Sequence, residues 1–167
     1  MSKSIGKHNE PENGSIIAND YPAVEIPNLM VYENSAAFSL SDDNSVLSLI
    51  KTIRKGIKYL NFNNIVNNSP FSLQDWSQFL HLSDRTMQRY KKEKKSFDAL
   101  HSEKILEIVM LYNKGIVVFG YKEKFNTWLE TSNVALGGST PKSFLDSSMG
   151  IQLVKDELVR IEHGVLA

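Results

Sequence analysis

The stretch FSLQDWSQFLHLSDRTMQRYKKEKK, residues 71–95, decides how the chain is read. Ser72 stands just before an apolar pattern, with Asp75 three residues on. In that spacing a hydroxyl and a carboxylate can satisfy the free amides at a helix start. Leu73, Trp76, Phe79 and Leu80 then share one helical face. His81 and Leu82 leave room only for a tight turn, and Ser83 is placed to cap a second helix whose Met87 and Tyr90 can pack back on the first. Two short helices joined in this way form a helix-turn-helix unit, whose second helix is the one that enters the major groove of DNA. Ser83, Asp84, Arg85, Thr86, Gln88 and Arg89 are then the candidate contacts near its N-terminal end. Arginine can read guanine O6 and N7, and glutamine adenine N6 and N7. Lys91, Lys92, Lys94 and Lys95 follow as candidate phosphate contacts. A capped helix pair with a merely solvated basic end remains the alternative at this point.

Charge distribution bears on that choice. The formal net charge is zero, but residues 1–45 carry two lysines against seven acids, whereas residues 46–104 carry eleven basic residues against five acids. A polyanion would meet the middle of the chain. Residues 1–43, with NEPENGS, Pro22 and Pro27, read as an acidic, flexible arm. From there SVLSLIKTIRKGI places Val46, Leu49, Ile50, Ile53 and Ile57 on one helical stripe, and FNNIVNN predicts a short helix before Pro70. With 41% hydrophobic residues over 167 positions the chain can bury a core. It shows no apolar run of membrane-spanning length and no secretory leader pattern, so a soluble, cytoplasmic protein is expected. Zero cysteines exclude disulfides and Cys-ligated zinc, and the four histidines stand at no metal-ligand spacing. Neither a metal nor a cofactor is expected.

Beyond Phe97, SEKILEIVMLYNKGIVVFG predicts a long helix ended by Gly120, and YKEKFNTWLET a helix burying Phe125, Trp128 and Leu129. The final helix, GIQLVKDELVRIEHG, aligns Ile151, Val154, Leu158 and Ile161 and stops at Gly164. Between them lies ALGGSTPKSFLDS, residues 135–147. GGSTPKS lacks the spacing of a phosphate-binding loop and has no strand before it. Ser139, Asp146 and His163 belong to no nucleophile motif. The stretch reads as a corner: Gly137 and Gly138 turn the chain, Thr140 caps and Pro141 starts the next helix. No catalytic residue is therefore assigned, and no alternating strand pattern appears, so the expected fold is all-α.

The order LHLSDRTMQRY, VFGYKEKFNTWLETSNVALGGSTPKSFLDSSMGIQLVKDELVRIEHG resembles the Xre/MbcA/ParS antitoxins of RES-domain type II toxin–antitoxin pairs. The resemblance covers residues 45–167 and is carried by Val118 to Gly120, Trp128 and Leu129, Ala135 to Pro141, Gly150, Val154, Leu158 and Arg160 to Gly164. Where the family often has LS..ES.R before the long helix, this chain has FDALHSEKI, with Lys104 in place of the arginine. The resemblance implies an Xre-like helix-turn-helix bundle over residues 44–100 and a small helical toxin-binding lobe over residues 101–167. It implies a bacterial protein with two partners, operator DNA and a NAD-depleting RES-domain toxin, acting as a homodimer or higher toxin–antitoxin oligomer without a membrane. The toxin-binding residues so implied are Leu136, Gly137 and Gly138 at the corner and Arg160, Glu162, His163, Gly164, Val165 and Leu166 at the final turn. A polar helix end followed by a short apolar tail suits the covering of an active-site cleft. The other reading is a free-standing transcriptional regulator whose C-terminal lobe serves dimerisation.

Overall fold

A computed structural model describes residues 43–164, all of whose regular elements are helical. The acidic arm, Val165 and Leu166 lie outside the described residues. The first helix, α1 (Asp43–Lys55), stops at Gly56, which takes φ of 83°. A Cβ at that position would run into the carbonyl of Phe97, so only glycine admits the close approach. The apolar stripe in the sequence carries this helix on to Ile57. Instead Ile57 is buried from an extended segment, where its carbonyl accepts the Phe97 N–H at 2.8 Å.

Next come α2 (Tyr59–Asn68), α3 (Leu73–Phe79) and α4 (Asp84–Glu93). The long α5 (Ala99–Phe119) starts three residues before the predicted serine, because Asp98 caps it by accepting the His101 N–H at 2.9 Å. Gly120 ends it in the left-handed region at φ of 82°. After α6 (Lys122–Glu130) two short 3₁₀ turns, Val134–Leu136 and Pro141–Phe144, lead into α7 (Ser148–Glu162).

The corner behaves as a corner, with one difference. Gly137 and Gly138 have φ of 66° and 81°, as their places in the turn require. Pro141 opens a 3₁₀ turn of four residues, not an α-helix, and the Thr140 side chain makes no cap hydrogen bond. The helix start belongs to Ser147, whose Oγ accepts the Gly150 N–H at 3.1 Å. Gly150 allows this because a Cβ there would strike the Phe144 carbonyl.

Helix α5 is the axis of the molecule, with α1, α6 and α7 packed against it. The buried apolar cluster runs without interruption from Leu49 through Trp76 and Met87 to Val154 and Leu158. Phe71, ahead of α3, reaches Tyr112 on α5 with ring centroids 5.8 Å apart. The helix pair and the C-terminal helices therefore share one core, which fixes the orientation of α4 relative to α7.

Candidate functional site

The start of α3 is built as its spacing implied. Ser72 Oγ accepts the Asp75 N–H at 3.1 Å, and Asp75 Oδ2 accepts both the Ser72 N–H and its hydroxyl at 2.8 Å. Burial by itself raises the Asp75 carboxyl, but hydrogen bonds from Ser72 and the neighbouring Lys142 outweigh that and hold its pKa below the ordinary value. His81 makes the turn with φ of 52°, and the Leu82 N–H closes it on the Ser77 carbonyl at 2.9 Å.

Ser83 then caps α4, its Oγ accepting the Thr86 N–H at 3.2 Å and meeting the Thr86 hydroxyl at 3.0 Å. Both hydroxyls are thus engaged in holding the helix end, with Ser83 exposed and Thr86 half-buried. Met87 is fully buried and Tyr90 leans on Phe97, ring centroids 5.1 Å apart. With that face committed to the core, Asp84, Arg85, Gln88, Arg89 and Lys92 are exposed. Arg85, Gln88, Arg89 and Lys92 recur at i, i+3, i+4 and i+7, so they form one outward stripe. Lys94 ends the helix at φ of 50°, and Lys95 pairs with Glu93 at 2.7 Å.

Two contacts, neither legible in the sequence, tie the segment after the corner to both ends of α3. Lys142 Nζ lies 3.0 Å from Asp75 Oδ1 and 2.8 Å from Glu130 Oε1. His81 Nε2 meets the Asp146 carbonyl at 2.9 Å. Sixty-five residues separate the latter pair, which no local periodicity could have joined.

At the corner Leu136 is 4% exposed, so its side chain packs inward and anchors the turn, leaving Gly137 and Gly138 on the surface. At the other end of α7, Arg160 Nη1 donates to Glu157 Oε2 at 2.8 Å, and Glu162 receives Lys114 Nζ at 2.6 and 2.7 Å. Glu157 is buried, so Arg160 supplies the compensating charge that a buried carboxylate needs. His163 and Gly164 are exposed, the latter at φ of 67°. The corner segment and this end stand at opposite ends of α7, whose fifteen residues span about 22 Å. No hydrogen bond or ion pair among the described residues joins Gly137 and Gly138 to Arg160, Glu162, His163 and Gly164.

In the sequence the inner stripe of α7 dominates. Its outer face carries Met149, Leu153 and Val159, which are 87%, 37% and 45% exposed, alongside Arg160 and His163. The spacing of four between Met149 and Leu153 was the available signal. Trp128 also departs from expectation. It stacks on Phe125 at 5.7 Å and packs on the core but is only partly buried, at the rim of a surface cleft lined by Phe119, Glu123, Lys124, Thr127 and Thr131.

A family model for the antitoxin Xre-like helix-turn-helix domain matches residues 48–110, and one for the antitoxin Xre/MbcA/ParS C-terminal toxin-binding domain matches residues 114–164. The chain belongs to the Xre/MbcA/ParS-type antitoxins. Among curated relatives, an antitoxin Xre of Photorhabdus laumondii is 28% identical over 116 residues, 69% of this chain and 78% of that protein. An antitoxin Xre of Yersinia enterocolitica is 31% identical over 87 residues, 52% of this chain and 59% of its own length. The antitoxin is a regulatory protein and not an enzyme. Its two matched domains meet within α5, so the α4 stripe falls in the helix-turn-helix domain and all of α7 in the toxin-binding domain. No helix of the described residues is long and apolar enough to cross a membrane, and no cluster of acidic and histidine side chains among them could hold a metal ion.

Proposed function

We propose that this antitoxin neutralises a RES-domain, NAD-depleting toxin by covering its active site with the C-terminal region, and that it binds operator DNA through α4 to repress its own operon, acting as a homodimer or higher toxin–antitoxin oligomer. The observation that carries the first half is the outer face of α7. Met149, Leu153 and Val159 are left in solvent on a helix inside the toxin-binding domain, and they lead directly to the polar end of Arg160, Glu162, His163 and Gly164. The apolar part suits a partner surface and the charges suit the rim of a pocket for a phosphate-bearing substrate. Gly137 and Gly138 offer a second, separate contact.

Deleting residues 163–167 tests this. The deletion spares Arg160 with buried Glu157 and Lys114 with Glu162, so the helix end keeps its charge pairing. Inhibition of the purified toxin's NAD consumption should be lost. If the shortened antitoxin inhibits as the full chain does, the final turn is not the plug, and inhibition comes from the Met149, Leu153 and Val159 face, from the corner or from another face.

The operator half rests on the exposed stripe of Arg85, Gln88, Arg89 and Lys92 at a capped helix N-terminus. Replacing Arg85 or Arg89 by alanine should cost about 1 to 3 kcal/mol of operator affinity and flatten sequence preference. Equal operator binding by the doubly substituted protein would remove α4 from the role of recognition helix.

A further inference from the structure

The junction between α1 and α2 is fastened to the segment that follows α4. Lys58 bridges Ser96, the Tyr59 N–H donates to the Lys95 carbonyl at 2.9 Å, and the Phe97 N–H donates to the Ile57 carbonyl at 2.8 Å. Gly56 brings the two backbones close because it has no Cβ to meet Phe97. Cationic residues far apart in sequence are thereby gathered at one edge: Arg54, Lys55 and Lys58 on one side, Lys91, Lys92, Lys94 and Lys95 on the other, all exposed. Glu93 is the acid within 91–96, and Lys95 pairs with it. None of Arg54, Lys55, Lys58, Lys91, Lys92 or Lys94 forms an ion pair among the described residues. Part of this charge favours helix ends, since Arg54 and Lys55 lie in the last turn of α1 and Lys91 and Lys92 in that of α4. Lys94, the C-cap of α4, shares that benefit, whereas Lys58 is the N-cap of α2, where a helix dipole opposes a cation, so no helix end accounts for its charge. The edge continues the outward stripe of α4 past its C-terminal end, where a helix seated in the major groove leaves the bases for the flanking backbone.

We propose that Arg54, Lys55 and Lys58 are a second phosphate-contacting rail for duplex DNA, set beside the basic end of α4 and independent of base sequence. This rests on the operator-binding reading of α4. The full chain and its R54A/K55A/K58A variant are titrated by fluorescence anisotropy with an operator duplex and a scrambled duplex at several salt concentrations. The variant should bind both duplexes more weakly by a common factor, with its log affinity against log salt shallower by about 0.9 for each phosphate that is no longer neutralised. The ratio of operator to scrambled affinity should not change. The charge-retaining R54K/K55R/K58R should bind like the parent. Unchanged affinity and salt slope in the alanine variant would overturn the rail, and so would a lowered melting temperature with DNA binding intact, since that marks cations that serve only helix ends. A charge-retaining variant as weak as the alanine one would overturn it too. If the parent shows no operator preference, the α4 reading fails by itself, while the rail is still judged on the scrambled duplex.

Discussion

Trp76 and Trp128 sit in the two matched domains of one helical body and are closed off to different degrees. Trp76 is fully buried, its ring meeting Phe62, Phe71 and Phe79 at centroid distances of 5.3, 5.9 and 5.9 Å. Trp128 is partly buried, packed against the edge of the core on Phe119 and Phe125. For aliphatic side chains the contrast is one of number and placement: Leu60 and Leu100 are exposed within residues 48–110, away from α4, whose Met87 is buried, whereas Val117, Val134, Met149, Leu153 and Val159 are exposed within residues 114–164, three of them on α7. A recognition helix meets a polyanion with polar and cationic groups, and α4 keeps its one aliphatic side chain, Met87, inside. A toxin-binding domain keeps apolar surface in reserve for another protein.

Substitutions can break or sharpen this comparison. The largest effect is expected from Trp76→Ala, which empties a fully packed aromatic site and should cost about 3 to 5 kcal/mol in denaturant unfolding. Trp128→Ala should cost less, about 1 to 2 kcal/mol, because its ring is only partly buried at the rim of a cleft and its removal widens that cleft instead of opening a sealed cavity. Equal destabilisation by the two would mean that the domains are closed alike.

Asp75→Asn removes the carboxylate that serves Ser72 and Lys142 together, and should cost about 1 kcal/mol near neutral pH. Since the folded pKa of Asp75 is depressed, its stabilisation is present above the unfolded value and is lost as pH falls through the folded one. The gap between parent and variant melting curves should therefore close below about pH 4. The smallest effect on stability is expected at the outer face of α7. Met149→Asp, at a side chain 87% exposed, should change unfolding by no more than about 0.5 kcal/mol while weakening capture of the cognate toxin. A large drop in stability there would show a face that supports the fold.

The readable parts of the chain were those with local causes. Ser72, Asp75 and Ser83 cap at fixed spacings, Met87 follows a helical period and Gly120 ends a helix, so the helix pair and the all-α architecture were legible from neighbouring residues alone. The rest depended on remote partners. Gly56 ends α1 early because of the Phe97 carbonyl, which lies forty-one residues further on. Trp128 obeys its apolar stripe and is still only partly buried, since nothing in the stripe says whether another element covers it. Lys142 and Asp146 reach α3 across long stretches of chain, and their roles appear only when the corner is folded. The surface candidates divide similarly: α4 shows its outward residues because its inner face is so short, whereas the outer apolar positions of α7 were masked by the stronger inner stripe of Ile151, Val154 and Leu158.

The central claim is that operator recognition and toxin capture occupy separate faces of one rigid body, α4 and the outer end of α7. It is tested most directly by crossing two variants, Arg85→Ala with Arg89→Ala and the deletion of residues 163–167, with two assays run on the same preparations: operator binding and inhibition of the toxin's NAD consumption. The account predicts that the first variant loses operator preference and inhibits the toxin fully, and that the second binds operator like the parent and fails to inhibit. Loss of both activities in either variant, with its melting curve unchanged, would contradict it.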